Sequence, residues 1–401
     1  MSKKKTRKKN ADQSMFTQVV HTGEKRRKYA DSITVPIVQT SSYIFQKTGE
    51  IKEFTSRRRL RYEYGRYGNP TEEAAEEKLA HLEGAETCLL FDSGMSALTT
   101  TFLALLSSGQ HIILTDDSYK QTLNFCTKFL PRFGIEYSVT RMGDYEEMEE
   151  AIKDNTRVIF SESPTNPYLN IANLDKLRKL KKKYGVALII DSTFATPYNQ
   201  KPLEFGVDLV MHSATKYLGG HNDILAGVLL GKKKMVDKVK EYQFAKGGII
   251  DPHCCYLLLR GLKTFAIRME KHNESGQIVA EWLEDHPRVR RVYYPGLPSH
   301  QHHDIAREQM KGFGGVISFE LDGTLGQVNR FLDRLQMIYI APSFGGVESL
   351  IMHPASMSYY QISRKERYAL GIIDNLLRLS VGIEHPQDII ADLERGLRAM
   401  K

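Results

Sequence analysis

Three short stretches hold residue types that could act on a small molecule. In "SATKYLGG" (213–220) one lysine, Lys216, stands among two hydroxyls, Ser213 and Thr215, and two glycines. An amine so placed can form a Schiff base with an aldehyde, and the hydroxyls can bind phosphate oxygens. In "IIDSTFATP" (189–197) Asp191 is the one carboxylate. It suits either a helix cap or an ion held against a cationic ring nitrogen. In "DSGMSALTTTFLALL" (92–106) a Ser93-Gly94 turn opens a helix. Free N–H groups and the positive dipole end of such a helix can hold a phosphate, although an ordinary capped helix reads the same way.

Each stretch follows a short apolar run. Runs at 87–91, 111–115, 135–140, 157–160, 186–190, 207–211 and 226–230 alternate with helix-like segments. One such segment is "NPTEEAAEEKLAHLEGAE", where Ala75, Leu79 and Leu82 recur at helical spacing behind Pro70. Strand and helix in repeated alternation predict an α/β fold, a mostly parallel seven-stranded sheet with helices on both faces. Ligands of such sheets sit at the carboxyl ends of the strands. A phosphate cradle, an Asp and a Lys 25 positions later, all at successive strand ends, are the parts that pyridoxal phosphate requires.

Other templates lack their residues. No GxGxxG follows the first run, and no GxxxxGK[ST] or GxSxG occurs. "HQHH" (300–303) sits between a Pro-rich turn and a helical stretch, so a solvated helix start is expected there rather than a ligand set, and no metal site is expected. Cys88, Cys126, Cys254 and Cys255 have no CxxC spacing, which argues against a disulfide framework or a zinc site and for a cytoplasmic protein.

The chain has 401 residues, 41% hydrophobic and 26% charged, enough for two or three well-buried units. Its net charge of +8 owes six charges to Lys3, Lys4, Lys5, Arg7, Lys8 and Lys9, leaving +2 (8 − 6) on the body. That tail reads as a solvated, disordered arm, and nucleic acid is not an expected partner. No run of 18 apolar residues exists, so no membrane span is expected. Residues 1–67 read as tail plus N-terminal arm, 68–263 as the cofactor domain, and 264–401 as a smaller C-terminal α+β domain. Strands of that last unit are expected in "VRRVYYPG", "GGVISFEL" and "LLRLSVGI".

The motifs "YEYGRYGNPT" (62–71), "SGMSA" (93–97), "SESPTNP" (161–167), "DSTFATP" (191–197), "SATKYLGGHND" (213–223) and "LLRLSVGIE" (376–384) resemble, in this order, the Cys/Met-metabolism pyridoxal-phosphate enzymes of fold type I. The resemblance runs from about His21 to the C-terminus. It implies that Lys216 is the Schiff-base lysine and proton carrier, and that Asp191 pairs with the ring nitrogen. Tyr119 would stack on the ring and assist proton transfer, and Asn166 would bind the phenolic oxygen. The Gly94 and Met95 amides with the Ser213 and Thr215 hydroxyls would hold the phosphate. Tyr64 and Arg66 would reach the phosphate of a neighbouring subunit, making active sites shared within a homotetramer, a dimer of dimers. Arg378, flanked by Leu377 and Leu379 and so facing away from them on a strand, would clamp a substrate α-carboxylate. Ser349 would assist that clamp, and Glu348 would lie near the incoming or leaving group.

Within the family, "FGGVES" (344–349), "VYYPGLPSH" (292–300) and "YGRYGNPT" resemble the plant-type cystathionine γ-synthases. The implied substrates are small amino acids: an activated homoserine and cysteine. A γ-lyase acting on cystathionine or methionine and a homoserine sulfhydrylase stay open as alternatives. A β-lyase fits less well, because bacterial examples tend to carry Trp where this chain has Phe344. One departure concerns the donor. The plant enzymes carry a lysine two places after the stacking tyrosine, whereas here Lys120 precedes Gln121. An O-acetyl or O-succinyl ester is therefore as compatible as O-phosphohomoserine.

Overall fold

The computed structural model describes residues 13–56, 58 and 61–401, so the lysine-rich tail lies outside the described residues. Seven strands form the larger sheet: β1 (Thr87–Phe91), β2 (His111–Thr115), β3 (Glu136–Thr140), β4 (Thr156–Glu162), β5 (Ala187–Asp191), β6 (Leu209–Ser213) and β7 (Gly227–Gly231). Their order is β1-β7-β6-β5-β4-β2-β3. All neighbours are parallel except β7, which runs antiparallel to both β1 and β6.

Alternation along these strands explains the layering. Leu90, Ile113, Ile159, Leu188, Ile190, Val210 and Val228 enter one core with Ala75, Leu79 and Leu82 of the helix Pro70–Glu83. Leu89, Phe91, Ile112, Leu114, Phe160, Ile189, Leu209 and Leu229 enter the other, against Ala97, Leu98 and Phe102 of the helix Gly94–Leu105. A strand whose successive side chains point to opposite faces needs both faces covered when both are apolar. Phe102 meets Phe160 edge to face at 5.3 Å, and each fully buried side chain of this kind contributes roughly 1.5–3 kcal/mol.

The strand β6 begins two residues later than its apolar run. Asp208 accounts for the shift, because its carboxylate accepts the Leu188 N–H at 3.0 Å and pairs with Lys181 at 2.7 Å. Those bonds tie residue 208 to the sheet's other end, and β6 consequently ends on Ser213, one turn before Lys216.

A 21-residue helix, Phe265–Asp285, leads to the second sheet. It contains β8 (Val289–Tyr293), β9 (Val316–Leu321), β10 (Tyr339–Ile340), β11 (Leu350–Met352) and β12 (Leu376–Ser380), in the order β10-β11-β12-β9-β8. Its core includes Ile317, Phe319, Phe331, Leu377, Leu379 and Leu393. The two short strands β10 and β11 carry too few residues to show a period.

The arm is only partly free of its own chain. Lys78, fully buried, donates from Nζ to the Val19 carbonyl at 2.7 Å and the Val20 carbonyl at 3.2 Å. These carbonyls end the helix Met15–His21, where a cation complements the dipole. Farther on, Tyr29, Ile33 and Ile44 stand 84%, 86% and 77% exposed, too much apolar surface for a segment without periodicity of its own. The "HQHH" stretch does start a helix, His303–Gln309, but it is not wholly solvated. His300 is buried with Nε2 at 3.3 Å from the Tyr168 carbonyl, and His302 Nδ1 accepts the Ile171 N–H at 3.2 Å. Burial holds the His300 imidazole down at about 4, so it stays neutral as it pins the 168–171 loop.

Where β7 begins, Gly227 lies against the start of the helix Gly94–Leu105. A Cβ there would stand 2.1 Å from the Ser93 carbonyl oxygen. Gly227→Ala is expected to cost about 1–3 kcal/mol by overpacking, measured as a lower urea midpoint. Gly49→Ala, in the helix Thr48–Thr55 with nothing within 4 Å of the added Cβ, is the control and leaves the midpoint equal or higher.

Candidate active site

The carboxyl ends of β4, β5 and β6 and the start of the helix Gly94–Leu105 meet on one edge of the large sheet. Ser93 caps that helix, its hydroxyl accepting the Ser96 N–H at 3.2 Å. This leaves the first amides, Gly94 and Met95, facing outward. A Cβ on Gly94 would lie 3.1 Å from the Ser213 Cβ, tighter than side chains usually pack, so glycine eases the approach of the helix start to β6. Thr215 Oγ1 accepts the Ala226 N–H at 3.0 Å, which locks the turn that carries Lys216.

A relay of hydrogen bonds orients Asp191. Its Oδ1 accepts the Thr193 N–H at 2.9 Å and the Thr193 hydroxyl, and that hydroxyl oxygen in turn accepts the Ser213 N–H at 2.8 Å. Burial raises the Asp191 carboxyl above its ordinary range, opposed by the Thr193 bonds and by His212. Neither Lys nor Arg offsets its charge.

The second sheet supplies the opposite wall. Lys216 Nζ donates to the Ser343 hydroxyl at 3.0 Å and stands 5.2 Å from the Phe344 ring centre. Arg378, on β12, donates from Nη2 to the Ser343 carbonyl and from Nη1 to Asn166 Oδ1, both at 2.9 Å. Its Cζ lies 5.4 Å from the same Phe344 ring, which stacks on Phe194 at 4.1 Å. The buried Arg378 Nε has no hydrogen-bond partner among the described residues. Burial, and then the Arg378 charge, lower Lys216 to about 8. Burial also lowers Arg378, to about 10.

Tyr119, 45% exposed, closes a third side, its backbone N–H bonded to Glu162 Oε1 at 2.6 Å. Burial and then Glu162 raise its phenol, and Arg378 opposes them, so the guanidinium acts on this ring as well.

Lys216, Asp191, Asn166, Tyr119, Gly94, Met95, Ser213, Thr215 and Arg378 thus come together. The other expected residues are placed elsewhere. The Ser349 hydroxyl donates to Glu384 at 2.8 Å and accepts the Gly382 N–H at 2.9 Å, fully buried behind the clamp. Glu348 accepts the Asn222 amide at 2.7 Å. Arg66 donates to the Phe244 carbonyl and lies 4.8 Å over Tyr67, while Tyr64 is 41% exposed.

Three residues of the site escaped the sequence reading. Glu162 is the last residue of β4 and was open to the same strand-end rule that singled out Asp191. Thr193 follows Asp191 by two. Ser343 sits in a loop without period or motif geometry, and only the folded chain brings it to Lys216.

The geometry accommodates pyridoxal phosphate. A half-buried carboxylate held by Thr193, a helix start brought close by Gly94, a half-buried amine of lowered pKa and a guanidinium nitrogen without a partner among the described residues match its ring nitrogen, phosphate, aldehyde and a bound amino acid. Comparison with known proteins agrees. The family model described as "Cys/Met metabolism PLP-dependent enzyme" matches residues 16–398. Cystathionine gamma-synthase 1, chloroplastic, of Arabidopsis thaliana is 47% identical over 384 residues, covering 95% of this chain and 68% of that one. The crystal structure of metB from Corynebacterium glutamicum superposes with a TM-score of 0.90 at 37% identity, covering 97% of this chain and 99% of the other. Cystathionine gamma-lyase from Lactobacillus plantarum, complexed with L-serine, gives 0.89 at 39% identity with the same coverage.

Because only the free amine attacks an acylating reagent, Lys216 in cofactor-free protein is expected to gain reactivity through a midpoint near pH 8. Arg378→Met removes the smaller of the two causes and should raise that midpoint. Peptide mass spectrometry across a pH series reads both, and an unchanged midpoint would refute the electrostatic link.

Proposed function

The chain belongs to the Cys/Met metabolism PLP-dependent enzymes, and we propose that within this family it catalyses γ-replacement, converting an activated L-homoserine and L-cysteine to L-cystathionine. The observation that carries the reading is the Lys216–Ser343–Arg378 linkage, which puts a proton-carrying amine beside a carboxylate clamp. The choice of replacement is supported by the likeness to the Arabidopsis synthase. Likeness to the Lactobacillus γ-lyase makes elimination the second reading.

When bound, pyridoxal phosphate supplies an electron-withdrawing ring that acidifies the substrate Cα–H. Gly94, Met95, Ser213 and Thr215 would hold its phosphate, Asp191 its ring nitrogen, Asn166 its phenolic oxygen, Tyr119 its face and Lys216 its aldehyde carbon. Arg378 binds the substrate α-carboxylate through two N–H donors, and the buried Nε gains the partner it lacks. Lys216, about half free amine near pH 8, would carry one proton at a time, first from Cα and, once that proton has been passed on, from Cβ. The ester oxygen then leaves Cγ, the cysteine thiolate sulfur takes its place, and Lys216 returns the protons. Tyr119 stands at the open side, suited to pass a proton to the leaving group. A proton carrier of this kind contributes about 10²–10⁴-fold.

The assembly belongs to the same proposal. The arm's exposed Tyr29, Ile33 and Ile44, and the outward position of Tyr64 beside Arg66, support a second copy completing each site, with two such dimers in a tetramer. The units 68–263 and 264–401 would then act as cofactor domain and substrate domain. Among the described residues no helix is long and apolar enough to cross a membrane, and we place the enzyme in the cytoplasm.

Holoenzyme incubated with O-acetyl-, O-succinyl- or O-phosphohomoserine is expected to form cystathionine only when cysteine is present. Release of 2-ketobutyrate from cystathionine alone would establish the lyase instead. Lys216→Ala is expected to abolish turnover, whereas Tyr119→Phe retains a measurable rate.

A further inference from the structure

Glu162 has no place in the reaction just described, yet it lies against two residues that do. The strands β4 and β5 pair Glu162 with Asp191 in register. Partners on parallel neighbours project to the same face, about 4.8 Å apart at the backbone. Both carboxyl groups are therefore side by side at a sheet edge, and Glu162 is 4% exposed.

Among the described residues no lysine or arginine bonds either carboxyl group. Asp117, after β2, adds another acid, and Tyr119 and Tyr359 face Glu162 as neutral phenols. Arg378 acts on those two rings, and His212 acts on Asp191 from β6 while bonded through Nε2 to Glu83 at 2.9 Å. Two like charges this close, one of them on the buried Glu162, do not both persist, so one proton stays between them. Asp191 accepts an N–H and an O–H from Thr193 and feels His212, all favouring its anion. Glu162 accepts a single N–H, from Tyr119.

We propose that Glu162 is a positioning residue that carries this proton, leaving Asp191 the one anion opposite the cofactor's ring nitrogen, while its other oxygen holds the Tyr119 amide at the ring face. The inference rests on the reading of Asp191 and Tyr119 given above. Burial, and next the Asp191 charge, drive the Glu162 carboxyl well above its ordinary range, as this requires. A charged Glu162 would leave one buried negative charge uncompensated after the ring nitrogen had paired with Asp191.

The test uses infrared difference spectra of full-length apo- and holoprotein at neutral pH, wild type minus Glu162→Gln. Other buried acids such as Glu72 and Glu76 cancel in the difference. A protonated-carboxyl C=O band that shifts in D₂O is expected, and a carboxylate band in its place would overturn the proposal. Glu162→Ala serves the same difference should the Gln variant fold poorly. The second measurement compares variants in the cysteine-dependent assay. Gln keeps an oxygen for the Tyr119 N–H, and its NH₂ can donate to Asp191 as the acid does. Its kcat should exceed that of Glu162→Ala by roughly tenfold, the worth of one buried amide left unsatisfied. Equal rates in two folded variants would overturn the positioning role. Because the spectra need no turnover, they decide the protonation even if the reaction assigned above proves to be elimination.

Discussion

Two cations, Lys216 and Arg378, are held against one aromatic ring in the cleft between two sheets, and the rest of the site answers that arrangement. Phe344 lies 5.2 Å from the amine and 5.4 Å from the guanidinium, and Ser343 touches both through its hydroxyl and its carbonyl. Burial lowers the affinity of both groups for protons, and the Arg378 charge lowers that of Lys216 further. One consequence is a lysine poised to work as a base. The other is a wall that favours anions, such as the carboxylate of an amino acid. Across the cleft the large sheet presents Asp191 and Glu162, so both acids line the first sheet's edge, while Lys216 rises from the turn after β6 and the Arg378 guanidinium stands on the second sheet. A ligand with a phosphate, a cationic ring nitrogen and an amino-acid carboxylate suits that polarity.

The scaffold holds this polarity by close backbone approach. Gly227 lets the start of β7 meet the turn before the helix at a distance no Cβ allows, and Gly94 eases the approach of the helix start to the end of β6. In the large sheet β7 runs antiparallel to its described neighbours, turns back beside β6 and thereby fixes the 213–226 turn through the Thr215–Ala226 bonds. Lys216 is delivered by that turn, not by a loop free to move, as pre-organised chemistry demands. On the second sheet the loop 344–349 is held from behind. Glu384 accepts both the N–H and the hydroxyl of Ser349, and the Val347 N–H bonds to the Gly220 carbonyl at 3.1 Å. Ser349 thus fixes the loop that bears Phe344, a part in the clamp more indirect than contact with a carboxylate.

Much of this was legible before folding. Alternating runs and helical stretches defined the large sheet, and the rule that ligands gather at strand carboxyl ends found Asp191, Ser213, Thr215 and Lys216. Arg378 was legible because a charged residue between two leucines on a strand must face away from their core. Less was visible where no period exists. The strands β10 and β11, two and three residues long, and the loop residue Ser343 give no local signal. Glu162 also ends a strand, but its part shows only once β4 and β5 set its carboxyl group beside that of Asp191. His300 reversed its expected character, because the 168–171 loop folds over it.

By itself the sequence determined the chemical inventory and the sheet that arrays it, since apolar alternation and turn residues act over a few positions and need no distant partner. Tertiary structure alone decided the electrostatics. Whether Lys216 is a base or an ordinary surface cation depends on Arg378, 162 positions away in the chain, and on the exclusion of water between two sheets. Whether Asp191 keeps its charge depends on a neighbouring strand's carboxyl group. Proton affinity is set by distance and burial, and neither is a property of local sequence.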